Sequence, residues 1–343
     1  MSAARIDPEI EVRVPGAARA LVVAAGLTLL LMLAATWSLS AGAVRVPWAV
    51  IGNTLFGLDG PRQDFIIWNS CLPRTVLALV TGGALALSGA IVQALLRNAL
   101  ASPKVIGINS GAALAVCLGV IAGLSPGWLP LLATGGGCIA ALIVWLASLR
   151  RRASPARLAL IGIAVGFLCD SAVDYLLVTA PDYQFSAPLV WMTGSLWSRG
   201  WADVTTVAPV LLPLALIALA LSYRLDLIRL GDRHARGLGV NVGVERAVLL
   251  LLATALAAVS VASVGALGFV GLMAPHIARQ LVGGDHRGLL PVAMLTGMVL
   301  VVLADAAGRA LAPPIEISAG ILTALFGAPF FVFLLLSKRG AAS

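Results

Sequence analysis

Charge is what this 343-residue chain has least of: 11% of its residues are Asp, Glu, Lys or Arg, against roughly 25% in an ordinary globular protein. With 60% of the residues hydrophobic, a polar surface cannot be built around so large an apolar fraction, and a soluble globule is excluded. Lysine is nearly missing: only Lys104 and Lys338 occur, and neither follows a glycine. The G-x-x-x-x-G-K-[ST] loop that cradles nucleotide phosphates is therefore absent, and the chain has no ATP-binding motif of its own. Three histidines, His234, His276 and His286, are scattered without a second ligand at useful spacing. That pattern predicts no catalytic dyad, no metal site and no cofactor, and argues against a membrane-embedded enzyme. Cys71, Cys117, Cys138 and Cys169 form no C-x-x-C pair, so neither a disulfide nor a metal cluster is read from them. Ionisable residues are also sparse within the apolar runs, whereas a carrier driven by an ion gradient needs them at mid-membrane.

What the chain does have is apolar runs of membrane-crossing length. A hydrocarbon core of about 30 Å takes about 20 residues of helix. Ten such runs are legible: Ala18–Leu39, Leu72–Leu95, Val105–Gly123, Trp128–Leu149, Arg157–Val178, Ala202–Tyr223, Glu245–Ser263, Val264–Val282, Leu289–Ala307 and Ala319–Leu336. The first is too long for the apolar stretch of a signal peptide and is read as an anchor. The expected fold is an all-α integral membrane protein of about ten transmembrane helices, one domain over residues 1–343 with an N-terminal tail at 1–17. The eighth run is the weakest, because Pro275, His276 and Arg279 crowd its second half.

The net charge of +8 is not a nucleic-acid signature, since the basic residues fall in short clusters between apolar runs instead of along one stripe. With both termini in the cytoplasm, only Arg45, Arg62, Arg74, Arg199 and Arg309 lie outside, and every other Arg and Lys lies inside. This is the bias that membrane insertion imposes. Trp37, Trp48, Trp68, Trp128, Trp191, Trp197 and Trp201 fall on the outer side, as anchors or as part of a surface shaped for a partner. Small residues within the runs let helices approach closely. One local echo stands out: Gly83-Ala84-Leu85 with Gly89 and Arg97 recurs at the same spacing as Gly265-Ala266-Leu267 with Gly271 and Arg279. Asp170 and Asp174, one helical turn apart, are the exceptional carboxylates; they line a pathway, or they bond to neighbouring helices or outer water.

The segment 224–243 is too organised for a bare linker. Leu225, Leu227, Ile228 and Leu230 predict a short helix with an apolar face, Gly231 a break, Asp232 the cap of a second helix, and Gly237 and Gly239 its end. Two small helices at the inner membrane face suit docking into a groove on a partner, or lie on the headgroups through their arginines.

These residues resemble the permease family of iron-siderophore, haem and cobalamin ABC importers, the type II importer fold, over nearly the whole chain. The likeness is carried by Leu72-Pro73-Arg74-Thr75 with Gly89 and Gln93, and by Arg97-Asn98-Ala99-Leu100-Ala101-Ser102-Pro103 with Gly107 and Gly111. It continues in Leu230-Gly231-Asp232, Ala235-Arg236 and Leu238-Gly239-Val240, and in Gly268-Phe269-Val270-Gly271-Leu272 with Pro275, His276 and Arg279. It ends in Asp305 with Arg309 and Glu316 with Gly320, Gly327, Pro329 and Phe330. Cys71, Ala99 and Ser318 depart from the family pattern, which often has arginine, proline and proline there.

The resemblance implies a multi-pass permease of the bacterial inner membrane that moves ferric-siderophore complexes, with haem or cobalamin as the alternative cargo. It implies a second permease subunit, identical or not, a periplasmic substrate-binding protein, and two cytoplasmic ATPase subunits that hold the ATP and magnesium. It assigns ATPase coupling to Leu230, Gly231, Asp232, Arg233, Ala235, Arg236, Leu238 and Gly239, and binding-protein docking to Arg74 and Arg309. Gln93, Asp170 and Asp174 are the candidate pathway residues.

Overall fold

The computed structural model describes residues 16–42, 46–55, 65–149, 155–179 and 191–337; the expected tail is thus described only from Gly16, and Arg5, Arg13, Arg45, Arg62, Arg150, Arg151, Arg152, Lys338 and Arg339 lie outside. The described elements are helices: α1 (Gly16–Ser40), α2 (Trp48–Leu55), α3 (Leu72–Leu96), α4 (Ile108–Ile121), α5 (Leu129–Leu149), α6 (Pro155–Thr179) and α7 (Trp201–Ala220). After them come α8 (Ser222–Arg229), α9 (Asp232–Gly237), α10 (Val242–Val264), α11 (Val270–Val282), α12 (His286–Leu311) and α13 (Ala319–Ser337). A π-helical turn, Ile67–Cys71, runs directly into α3.

The helices α1, α3, α5, α6, α7, α10 and α12 are long and apolar enough to cross a membrane, and α4 and Ala319–Phe333 of α13 are shorter apolar helices. With α11 these ten segments correspond one to one with the ten apolar runs. The eighth run is where expectation and structure part. Val264 ends α10, the chain is non-helical from Gly265 to Phe269, and the 13 residues of α11 rise about 20 Å, short of a full crossing. The break has a local cause: Gly265 has φ 78° and Phe269 φ 62°, left-handed values that a continuous helix cannot contain. Irregular backbone at membrane depth is tolerated only where protein buries it or a cavity is lined. Here Ser195 donates its backbone N–H to the Val264 carbonyl at 2.8 Å, and the backbone of Trp191 and Gly194 packs directly against Gly265, Ala266 and Leu267, so a neighbouring segment covers it.

α3, α10 and α12 form the buried centre, and α1, α6 and α7 the periphery. Small residues make this possible. Gly82 of α3 faces Gly297 of α12, and Gly111 of α4 faces Gly136 of α5, each so close that a Cβ would overlap the other backbone. The two ends of the bundle differ. One carries the α8–α9 hairpin together with the C-terminus of α3 and the N-termini of α10 and α12; the other carries the N-terminus of α3 and the C-termini of α1 and α12. Trp48, Trp68, Trp128, Trp197 and Trp201 are exposed.

Candidate functional site

The segment 224–243 folds into the two short helices expected, with different duties for some residues. Leu225 and Ile228 are fully buried against the bundle, whereas Leu230 is 57% exposed, so the apolar face read across all four positions is split between core and solvent. Gly231, at φ 99°, turns the chain between α8 and α9 and occupies the capping position itself. Asp232 is therefore not a cap. It is the first residue of α9, and its Oδ1 receives Arg97 Nη2 at 2.7 Å and Arg246 Nη2 at 2.8 Å, with Arg236 Nη2 3.9 Å from Oδ2. Of the other assigned positions, Ala235 is the buried residue of α9, while Arg233, Arg236, Leu238 and Gly239 are exposed.

A second tie fixes α8. Asp226 accepts from His286 Nδ1 at 2.6 Å and from the His286 backbone N–H at 3.1 Å, and Arg229 donates to the Gly284 carbonyl. Partial burial, the largest single influence, pulls the Asp226 carboxyl upward, but the hydrogen bonds from His286, with smaller help from Asp285 and the His286 ring, together hold the group below the usual carboxylate range. The hairpin is thus attached to α3, α10 and α12 at once, and it still presents Leu230 and Leu238, 57% and 63% exposed, away from the bundle.

At the opposite end lies a buried charge cluster. Arg74 forks onto Asp305, with Nε 2.9 Å and Nη2 2.8 Å from Oδ1, and reaches Glu316 Oε2 through Nη1 at 2.8 Å. Arg309 contacts the other oxygen of Asp305 at 3.1 Å and donates to Ser38 Oγ at 2.7 Å and to the Ala41 carbonyl. Arg74 is 8% and Arg309 4% exposed, so neither guanidinium is displayed on the surface; Glu316 is the accessible member, its side chain 30% exposed. Two arginines and two carboxylates neutralise each other here, the condition for burying such groups.

Gln93 is buried between α3 and α11: Nε2 donates to the Leu272 carbonyl at 3.3 Å, and Oε1 accepts from Arg279 at 3.3 Å. Asp170 is half-buried and Asp174 exposed on α6, and neither makes a side-chain hydrogen bond or ion pair with another described residue. The structure therefore brings Arg74 and Arg309 together, and it leaves Gln93 and the Asp170–Asp174 pair apart from them and from each other. Arg97 and His286 were noted in the sequence, but their pairing with Asp232 and Asp226 was not read there, and Arg246 and Asp226 were not singled out. Their only signal there was polar side chains flanking apolar runs, which carries no pairing information. Among the described residues no group of three or more His, Cys, Asp or Glu side chains is arranged to hold a metal ion.

Comparison with known proteins supplies what geometry alone does not. A family model described as the FecCD transport family matches residues 30–337. The Fe(3+)-citrate import system permease protein YfmE of Bacillus subtilis is 44% identical over 312 residues, covering 90% of this chain and 93% of that protein. The Fe(3+) dicitrate transport system permease protein FecD of Escherichia coli is 41% identical over 315 residues, 91% of this chain and 98% of that one. A structure described as an inward-facing conformation of a metal-chelate type ABC transporter superposes with a TM-score of 0.82 at 34% identity, covering 92% of this chain and 99% of that chain.

Proposed function

Because this chain belongs to the FecCD transport family, we propose that it is the permease subunit of an ABC importer for ferric complexes of the siderophore and citrate type. It is a multi-pass membrane protein, and the reading places it in a bacterial inner membrane with both termini in the cytoplasm. Two permeases, two ATPase subunits and a periplasmic binding protein complete the importer. The chain performs no covalent chemistry and alternates between states as its partners bind and hydrolyse ATP. The observation that carries the reading is the α8–α9 hairpin, tied to α3, α10 and α12 yet exposing Leu230, Arg233, Arg236 and Leu238. A segment held from within and displaying leucines and arginines on its outer side is built to receive a partner and pass on its movement.

Docking of the binding protein at Arg74 and Arg309 belongs to the same proposal, and the burial of both guanidiniums favours an indirect mode for it. Both guanidiniums already hold Asp305 and Glu316, so a carboxylate on the binding protein engages by exchange, with Glu316 as the accessible member. Charge pairing of this kind governs encounter and orientation more than affinity. Asp170 and Asp174 on the open side of α6 are proposed to face the path between two permeases, and Gln93 acts through the α3–α11 contact.

The test is reconstitution of the complete importer in liposomes, with ATP hydrolysis and labelled-iron uptake read with and without the binding protein loaded with ferric citrate or a ferric hydroxamate. Stimulated hydrolysis with iron accumulation supports the reading. Uptake of haem or cobalamin instead would retain the machine and change the cargo; uptake driven by an ion gradient without ATP would overturn it.

A further inference from the structure

The hairpin is joined to the bundle asymmetrically. α8 is rigidly seated: Leu225 and Ile228 are buried, Asp226 is bonded to His286, and Arg229 holds the Gly284 carbonyl. α9 is not. It hangs between Gly231 at φ 99° and Gly239 at φ 80°, two joints that rotate more freely than any side-chain-bearing residue. Its contact with the bundle consists of the small buried Ala235 and the carboxylate of Asp232; Arg233, His234 and Arg236 face outward. That one carboxylate meets two guanidiniums from two different helices. Arg97 follows the last residue of α3, and Arg246 stands in the first turns of α10. Arg97 is held at φ 49°, a left-handed conformation uncommon for a residue with a side chain, and from there Nη2 reaches both Asp232 and the Ile228 carbonyl. α3 and α10 are the two most buried of the crossing helices.

We infer that Asp232 is the positioning residue that transmits movement of α9 to α3 and α10, through Arg97 and Arg246. This rests on the reading of the hairpin as the ATPase-coupling segment and goes beyond it by dividing its residues. Arg233, Arg236, Leu230 and Leu238 meet the partner, whereas Asp232 faces inward and joins the moving element to the translocation helices. The chemistry suits the task. A carboxylate has lone pairs enough for two charged donors, so both arginines follow the same group. The three side chains are 27–42% exposed, and ion pairs so placed contribute little to folding. Removing the charge therefore separates the helices' movements without unfolding the protein.

The test uses the whole importer in liposomes with the ferric complex that the wild type transports, ferric citrate being the first probe. Asp232→Asn keeps the side chain's size but presents an amide to two arginines. It is expected to retain the melting temperature and ATPase co-purification of the wild type, while iron transported per ATP hydrolysed falls about tenfold, within the usual range of coupling between sites. Asp232→Glu is expected to recover much of the ratio. Arg97→Gln is expected to lower it too, and adding Asp232→Asn to that variant to lower it less than the product of the two, because both remove one linkage. A wild-type ratio in Asp232→Asn would overturn the inference, as would a loss of stability and ATPase association in step with transport. The parallel variant Arg233→Glu/Arg236→Glu separates the two levels. If it is uncoupled and Asp232→Asn is not, only the transmission role fails; if the double reversal is fully coupled, the coupling reading of the hairpin fails with it.

Discussion

Gly89 of α3 and Gly271 of α11 meet backbone to backbone, so closely that a Cβ on Gly89 would overlap the Gly271 carbonyl, while one on Gly271 would lie 2.9 Å from the Pro103 ring and 3.0 Å from the Leu85 carbonyl oxygen. These are the same positions of the repeated pattern Gly83-Ala84-Leu85…Gly89 and Gly265-Ala266-Leu267…Gly271. The echo in the sequence is thus a contact in the fold: each copy supplies the small residue that the other needs. The next polar pair continues it, since Gln93 is bonded to Arg279.

Replacing Gly89 by Ala is expected to destabilise the protein by about 1–3 kcal/mol, the usual range for an overpacked core, because the obstacle is backbone and cannot rotate aside. Gly26→Ala on α1 is the control, since nothing lies within 4 Å of its added carbon; there alanine is expected to be neutral or to stabilise by up to about 1 kcal/mol through helix propensity. Thermal unfolding of the two variants in the same detergent measures the difference. Equal melting temperatures would show that the α3–α11 contact is looser than described.

The tie between α8 and α12 predicts a pH dependence with a definite sign. Hydrogen bonds from His286 hold the Asp226 carboxyl below its unfolded value of about 3.9, so the carboxylate form favours the folded state. Its contribution is complete above that unfolded value and is lost as pH falls through the folded one. Hairpin attachment is therefore expected to be insensitive to Asp226 from neutrality down to about pH 5 and to weaken below about pH 4. Asp226→Asn is expected to be less stable than the wild type at neutral pH and to show less of the acid-dependent change. Proteolytic sensitivity of the segment 224–243 against pH reads both.

How far the sequence reveals this molecule depends on whether a feature is local. Helix α3 and the two-helix form of the segment around Gly231 follow from periodicity and glycine placement, because hydrophobic runs and glycine breaks act over a few residues. The break at Gly265–Phe269 was legible only in part: the seventh and eighth runs divide at Ser263 and Val264, beside Gly265, but the sequence stays apolar across it, and the left-handed Phe269 and the covering contacts from Ser195 and Trp191 belong to the fold. Not legible were the partners of Asp232 and Arg74, which stand up to 242 residues apart in the Arg74–Glu316 case. A charged residue near a helix end shows that a partner is needed, and only the fold decides which.

The outward side of the hairpin gives a prediction independent of its inward ties. Arg233 and Arg236 are exposed, with Arg236 only loosely paired to Asp232 at 3.9 Å. Reversing both to Glu is expected to leave folding unchanged to within about 0.5 kcal/mol, as for surface positions generally. Transport is expected to be lost, together with ATPase association or stimulation. Co-purification of the ATPase subunits and iron uptake measure it, and normal values of both would remove these arginines from the interface.

At the other end, the cluster around Arg74 separates a structural residue from a regulatory one. Arg74→Ala strips both Asp305, 1% exposed, and Glu316 of their principal partner. Breaking a buried pair in this way is expected to cost about 3–5 kcal/mol and to lower expression. Glu316→Gln removes instead the accessible member, and surface charges of this kind contribute about 1 kcal/mol or less, so the protein is expected to fold normally. Its effect appears at the partner. With Glu316 neutral, the Arg74 guanidinium is less fully balanced, and an acidic residue of the binding protein has less to displace; a tightening of several-fold is expected, mostly in the association rate and diminishing with added salt. Surface plasmon resonance of the detergent-solubilised importer against its binding protein, at low and high salt, distinguishes the cases. Unchanged kinetics in Glu316→Gln would mean that the cluster is purely a staple between α3, α12 and the segment leading to α13, and that docking is governed elsewhere.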